Sequence, residues 1–181
     1  MPTFFLIFFF FLLIILFLFF ISQFYNIFFR GYAPFVSSKP KVIQTVLKEL
    51  TKLKIKPQTI YELGAGRAGF LRAARQRFPQ AKLVGIEYSF LPLFLGKIQS
   101  ALTNSKIEFI KKNIFTVDLG PAEVIYCYLN ADMMKRLEPI LKKECRMGTI
   151  IISYQFPLPH LVPIKTISLN NDKDKIYFYK L

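Results

Sequence analysis

The chain has 181 residues and a formal net charge of +14, from 25 Lys and Arg against 11 Asp and Glu. That balance favours anionic partners such as nucleic acid, acidic lipid or an acidic protein patch. Two cysteines, Cys127 and Cys145, and the single His160 are too few and too scattered for a disulfide framework or a metal site, so no metal is expected.

The first element is apolar throughout. Phe4–Ile21 is a run of 18 apolar residues without a charge, and Phe24, Ile27, Phe28 and Phe29 carry that character on to Arg30. A helix needs about 20 such residues to cross about 30 Å of hydrocarbon. A signal peptide would want a basic start and a small-residue cleavage site. Met1-Pro2-Thr3 and Ile21-Ser22-Gln23-Phe24 supply neither. Residues 1–30 therefore predict a single-pass transmembrane anchor. From Arg30 to Lys56 seven basic residues stand against one acid, Glu49. By the positive-inside rule the domain is expected on the cytoplasmic, or matrix-equivalent, side, with this basic segment near anionic headgroups.

Residues 31–57 read as a basic linker, Gly31–Lys39, and an amphipathic helix. Pro40 suits a first helical turn, and Val42/Ile43, Val46/Leu47, Leu50 and Leu53 recur at steps of three and four. From residue 58 to 181 strand and helix alternate. Strands are expected at Thr59–Leu63, Lys82–Glu87, Lys106–Ile110, Ala122–Tyr128 and Gly148–Tyr154, the last two apolar enough to be central. Helices are expected over Gly69–Phe78, from a Ser89 cap with Phe94, Ile98 and Leu102 inside, and over Asp132–Lys143, where Pro139 should kink or split the helix. Ile164–Leu169 and Lys175–Leu181 flank Asn170–Asp174 as a hairpin. The fold class is α/β, Rossmann-like, mostly parallel with a C-terminal antiparallel hairpin.

The chemistry gathers at Thr59–Phe70, TIYELGAGRAGF. Glycines let backbone approach a ligand closely, and the helix that follows suits polar or anionic groups. Gly64-Ala-Gly66-Arg-Ala-Gly69 is a literal G-x-G-x-x-G, which also fits a dinucleotide. Glu62, two residues before Gly64, would repel a pyrophosphate but suits a ligand bearing an ammonium group. Glu87 closes the next strand, where an acid can take both ribose hydroxyls; it supports an adenosine ligand without choosing between NAD and S-adenosylmethionine.

E-x-G-x-G at 62–66, Glu87 and the apolar strand running into Tyr128-Leu129-Asn130 resemble a class I S-adenosylmethionine-dependent methyltransferase. Val124–His160, with Met133-Met134 and Phe156-Pro-Leu-Pro159, is similar to the membrane-anchored mitochondrial protein-lysine methyltransferases of ATP synthase c subunit and adenine nucleotide translocase type, and to their prokaryotic relatives. The resemblance implies that 58–181 binds S-adenosyl-L-methionine through Glu62, Gly64, Gly66, Glu87, Tyr88 and Asn113. It also implies a membrane-protein lysine as acceptor. Two positions depart from the family pattern: Ala68 stands at its third glycine, and Asn113 at its acid after the third strand. Tyr128 and Asn130 are the catalytic candidates, with Tyr154 and Gln155 expected beside them at the mouth. Three alternatives stay open: a membrane-anchored NAD(P)-binding oxidoreductase, an anchored module with a degenerate methyltransferase fold, and a nucleic-acid methyltransferase. Leu129-Asn130-Ala131-Asp132 lacks the Asn/Asp-Pro-Pro-aromatic motif of base-amino methyltransferases, which argues against nucleic acid.

Overall fold

The computed structural model describes residues 2–30, 36–169 and 174–181. Residues 31–35 of the expected linker, residues 170–173 of the expected hairpin turn, and the side chains of Phe24 and Ile27–Arg30 lie outside the described part. The chain forms two compact units, Met1–Pro34 and Phe35–Leu181. The first holds helix α1 (Pro2–Arg30), in which Thr3–Ser22 is long and apolar enough to cross a membrane.

The second unit contains α2 (Pro40–Lys52), β1 (Thr59–Leu63), α3 (Gly69–Arg77), β2 (Lys82–Ile86), α4 (Phe90–Leu102), β3 (Ile107–Ile110), β4 (Val124–Cys127), α5 (Ala131–Glu144), β5 (Ile150–Tyr154), β6 (Lys165–Ser168) and β7 (Lys175–Lys180). Its sheet runs β3-β2-β1-β4-β5-β7-β6. The first five strands are parallel, and β7 pairs antiparallel with both β5 and β6. This is the expected Rossmann-like sheet. β4 and β5 are buried at every position, as near-continuous apolar strands covered on both faces should be. The strand order reverses between β1 and β4, which opens a crevice at the carboxyl ends of the strands.

α2 and α3 cover one face. Val42, Val46, Leu50, Phe70 and Leu71 pack there with Ile60, Leu83, Val124, Tyr126 and Ile152. α5 covers the other, where Met134 Sδ lies 3.7 Å from both Cys127 Sγ and Ser153 Oγ. Burial pushes the Cys127 thiol up to about 12, as befits a core thiol, and both cysteines are free.

Four local expectations need correction. Leu53 lies just past the end of α2 and is 40% exposed, so the apolar stripe of that helix stops at Leu50. Pro139 does not split α5; it sits on the exposed side of one continuous helix. β3 and β4 are joined by irregular chain rather than a helix, with Ile114, Val117 and Leu119 tucked in as plugs. The fourth correction is the largest. α4 buries Pro92, Leu93, Gly96 and Ser100, whereas Phe94, Ile98 and Leu102 are 47%, 43% and 82% exposed. A Cβ on Gly96 would stand 2.8 Å from the Gly66 carbonyl oxygen and 2.9 Å from the Phe109 ring. At Gly96 the helix runs so close to the glycine turn and β3 that no side chain fits between them, and Phe94, Ile98 and Leu102 turn outward.

Candidate active site

The glycine turn is built by backbone geometry and by one carboxylate. Gly64 and Gly66 have φ of +69° and +52°, a region open to glycine at little cost. The Ala65 N–H donates to the Ile86 carbonyl at 2.9 Å, and the Gly66 N–H donates to Glu87 Oε2 at 2.9 Å. Glu87 Oε1 accepts the Ser89 N–H at 2.7 Å, while the Ser89 hydroxyl makes no cap. Glu87 thus fastens the turn to the start of α4. A carboxylate has about four acceptor positions. Two are used here, and two hydroxyls of a ribose fit the remainder.

Ala68 also lies in the left-handed region, at φ 53° and ψ 44°, fully buried, at the N-cap of α3. It makes no side-chain cap. The acid two residues before Gly64 takes over that work: Glu62 Oε2 accepts the Leu71 N–H at 3.2 Å, in the first turn of α3. Burial pushes the Glu62 carboxyl up to about 8, against the opposing pull of the Leu71 and Phe70 N–H groups and of Arg72, with Glu87 nearby adding to the rise. A cationic group brought beside it would be met by a carboxyl that gains strongly from ionising. Arg72 itself donates to Gln99 of α4.

A second cluster stands at the ends of β4 and β5. The Tyr128 and Tyr154 rings lie 4.5 Å apart between centroids. The Tyr128 hydroxyl donates to Gln155 Oε1 at 2.8 Å, and Gln155 holds φ +68° just past β5. The Tyr154 hydroxyl donates to Asp174 Oδ1 at 2.7 Å, and Lys39 Nζ meets Asp174 Oδ2 at 2.7 Å. The Lys39 ammonium, then the Tyr154 hydroxyl, hold the Asp174 carboxyl below its usual range. Burial raises both tyrosines. The segment before α2 closes over this edge, with Ser38 Oγ 2.6 Å from the Tyr126 hydroxyl and Arg67 Nη2 donating to Ser37 Oγ at 3.2 Å.

The site residues expected from the sequence are thus found in different situations. Glu62, Gly64, Gly66 and Glu87 share one turn, and Tyr88 beside them is 42% exposed. Tyr128 joins Tyr154 and Gln155. Asn130 caps α5, its Oδ1 accepting the Met133 N–H at 2.9 Å. Asn113 closes a local turn, its Oδ1 accepting the Phe115 N–H at 3.0 Å. Sequence reasoning missed Gly96, Lys39 and Asp174. A glycine inside an apolar helix was a signal for the first; nothing local marks a pair 135 residues apart.

The model for the ANTKMT methyltransferase domain matches residues 62–165, more than half of the chain and the whole of both clusters except Lys39 and Asp174. The chain belongs to this family. A protein-lysine N-methyltransferase of Saccharolobus islandicus is 27% identical over 152 residues, 82% of this chain and 93% of that one. The adenine nucleotide translocase lysine N-methyltransferase of Mus musculus is 22% identical over 142 residues, 77% of this chain but 60% of its own length. Among solved structures, an RNA methyltransferase from Salinibacter ruber with bound S-adenosyl-L-homocysteine superposes with a TM-score of 0.73 at 23% identity, over 80% of this chain and 93% of that one; that likeness speaks to the fold. The protein is an S-adenosylmethionine-dependent methyltransferase, and the oxidoreductase alternative falls away. The residues present suit that cofactor: Glu87 keeps acceptor capacity for a ribose, Glu62 favours a cation, and Gly64 and Gly96 keep side chains out of the turn.

Proposed function

We propose that this chain methylates a lysine side chain of a membrane protein, from a single N-terminal anchor (1–30), a basic juxtamembrane segment (31–57) and a catalytic domain (58–181). The observation that carries the acceptor is the family match, joined to a Saccharolobus relative that bears the protein-lysine name across nearly its whole length. The membrane reading is supported by Thr3–Ser22 and by the name of the mouse relative. Phe4, Phe9 and Phe17 are each more than half exposed, which an apolar surrounding stabilises far better than water. The basic flank supports a catalytic domain on the cytoplasmic or matrix-equivalent side, by the positive-inside rule.

In this reading Glu87 takes the ribose hydroxyls. Gly64 and Gly66 admit the cofactor's backbone-hugging end, and Glu62 faces its ammonium from beneath the turn. Tyr88 and Asn113 flank the adenine. Bound there, S-adenosylmethionine supplies a methyl group on a sulfonium. Tyr128 lines the path of the acceptor, backed by Tyr154, which is buried rather than at the mouth as expected, and Asn130 sits at its rim. A free lysine titrates near about 10.4, so its ammonium must lose a proton before it can attack. None of Tyr128, Asn130, Tyr154 and Gln155 is an acid or a histidine, and Lys39 neutralises Asp174 behind them. The chain's contribution is therefore desolvation of the amine against the Tyr128 ring, which lowers its pKa, and alignment of the pair. The proton leaves to solvent.

The test is methyl transfer from labelled cofactor to membrane fractions, followed by hydrolysis and separation of the labelled amino acid. Label in methyllysine, lost with Glu87→Gln, is expected. Label in another amino acid, or equal labelling by wild type and Glu87→Gln, would sink the reading.

A further inference from the structure

We infer that the outward face of α4 is a docking surface for a bilayer rich in anionic lipid. Phe90, Leu91, Phe94, Leu95, Ile98 and Leu102 form one exposed apolar ridge along the helix, from 37% to 82% exposed. It carries no acid. Between residues 88 and 117 there are four lysines, Lys97, Lys106, Lys111 and Lys112, all exposed, against Glu108 alone. Glu108 is itself met by Lys82 at 3.0 Å. The Lys111 ammonium lies 5.4 Å from the Phe90 ring centroid, which puts charge at the very border of the ridge.

This pattern, large apolar side chains flanked by lysines, is that of a helix lying in the headgroup layer. There the side chains enter the acyl boundary by about 5–10 Å while the lysines meet phosphates. The rest of the layer agrees. α2, α3 and α4 together carry Lys41, Lys48, Lys52, Arg72, Arg75, Arg77 and Lys97, and their one acid, Glu49, is buried against Lys165 and Lys52. A basic surface of this kind repels a cationic acceptor lysine but attracts acidic lipid. α4 begins directly after Glu87 and Ser89, so docking on it holds the edge that carries the cofactor turn at headgroup level. The acceptor is then a lysine at the bilayer surface. The inference rests on the membrane placement proposed above.

The sequence contains no tryptophan, which makes the test direct. Full-length Phe94→Trp, and separately Leu102→Trp, are reconstituted in vesicles of phosphatidylcholine with or without phosphatidylglycerol, with brominated acyl chains as quencher. Lys143→Trp on α5 is the control. Both α4 positions are expected to shift to the blue and be quenched in anionic vesicles, while the control stays open to aqueous iodide. Replacing Lys97 and Lys111 by Glu should lower the docked-to-undocked ratio by at least about fivefold for each lysine. If both α4 tryptophans remain open to iodide in anionic vesicles, or become shielded only when solubilised membrane protein is added, the lipid surface is wrong. Flotation separates the two readings: a chain that floats without quenching overturns docking alone, and one that does not float overturns the anchor with it.

Discussion

The two faces of the sheet are built by opposite rules. On one, α5 follows the ordinary amphipathic pattern. Met134, Leu137 and Leu141 are buried, lysines face water, and Asn130 caps the first turn with its own side chain. On the other, α4 buries Gly96 and Ser100 with Pro92 and Leu93 and exposes most of its large residues, and α3 has an alanine at its N-cap and takes its cap from Glu62 across the turn. The conventional face stabilises the fold. The unconventional face touches the glycine turn at every irregular point, so its departures from pattern follow the cofactor turn rather than the core.

The largest expected effect breaks the comparison at the helices. Leu137→Ala on α5 empties a fully buried site and should cost about 2–5 kcal/mol. Leu102→Ser on α4 should stay within about 0.5 kcal/mol, since that side chain is 82% exposed. Denaturant titration in mild detergent measures both. A cost at Leu102 equal to that at Leu137 would mean that the α4 ridge is covered by this chain.

Next come two buried acids with opposite shifts, Glu62 and Glu138. In the fold the Glu62 carboxyl is pushed up to about 8, above its ordinary value of 4.5. Its contribution to stability is therefore full below about 4.5 and lost as pH rises toward 8. The size is on the order of a few kcal/mol, at 1.36 kcal/mol for each unit. Glu138, on α5, has the opposite sign. Burial would raise it, but Lys142 and the His160 N–H outweigh that and hold it low. Its stabilisation is present above the ordinary carboxylate range and lost only in acid. Thermal unfolding from pH 4 to 9 should flatten between 4.5 and 8 in Glu62→Gln and change only at the acid end in Glu138→Gln. Cofactor affinity in the wild type should rise over the same interval, because a cationic ligand favours ionised Glu62; calorimetry of Glu62→Gln should show that rise gone.

A third effect, about 1–3 kcal/mol, belongs to Gly96. Gly96→Ala sets a methyl group 2.8 Å from a backbone oxygen of the cofactor turn, which cannot swing aside as a side chain would. Stability and S-adenosylhomocysteine affinity should fall together. An unchanged affinity beside a lowered stability would show that α4 presses on β3 without setting the turn.

These cases mark what the chain reveals on reading. The parallel strands were legible because β1, β2, β4 and β5 are short apolar runs followed at once by Gly64, Glu87, Tyr128 and Gln155. The period of α4 was legible too. Its inward face was not, because that depends on how near the helix axis lies to the Gly66 carbonyl and Phe109, a distance no local pattern encodes. Glu62 stood out as the acid before the turn, yet its role as a remote cap exists only because Ala68 offers none. Asn113 and Asn130 look like ligand groups in sequence, whereas short polar side chains also serve the nearest backbone N–H, as both do here.

The smallest effect concerns the start of α3. On backbone grounds the glycine belongs at 68, where φ is 53°, but the sequence places it at 69, which has no such demand. An L-residue in the left-handed region costs about 1–2 kcal/mol. Ala68→Gly relieves that, but gives up a buried methyl group and adds unfolded-state freedom, each near about 0.8 kcal/mol. Alone it should leave stability within about 1 kcal/mol of wild type. Gly69→Ala meets nothing closer than Ile43 Cδ1 at 3.7 Å and gains helix propensity of up to about 1 kcal/mol. The double variant should therefore be the more stable, with cofactor affinity unmoved, because neither methyl group lies where the Gly66 and Glu87 hydrogen bond is made. A double variant that binds S-adenosylhomocysteine more weakly would show that Ala68 shapes the ligand side of the turn, and that the unconventional face is tuned residue by residue for the cofactor.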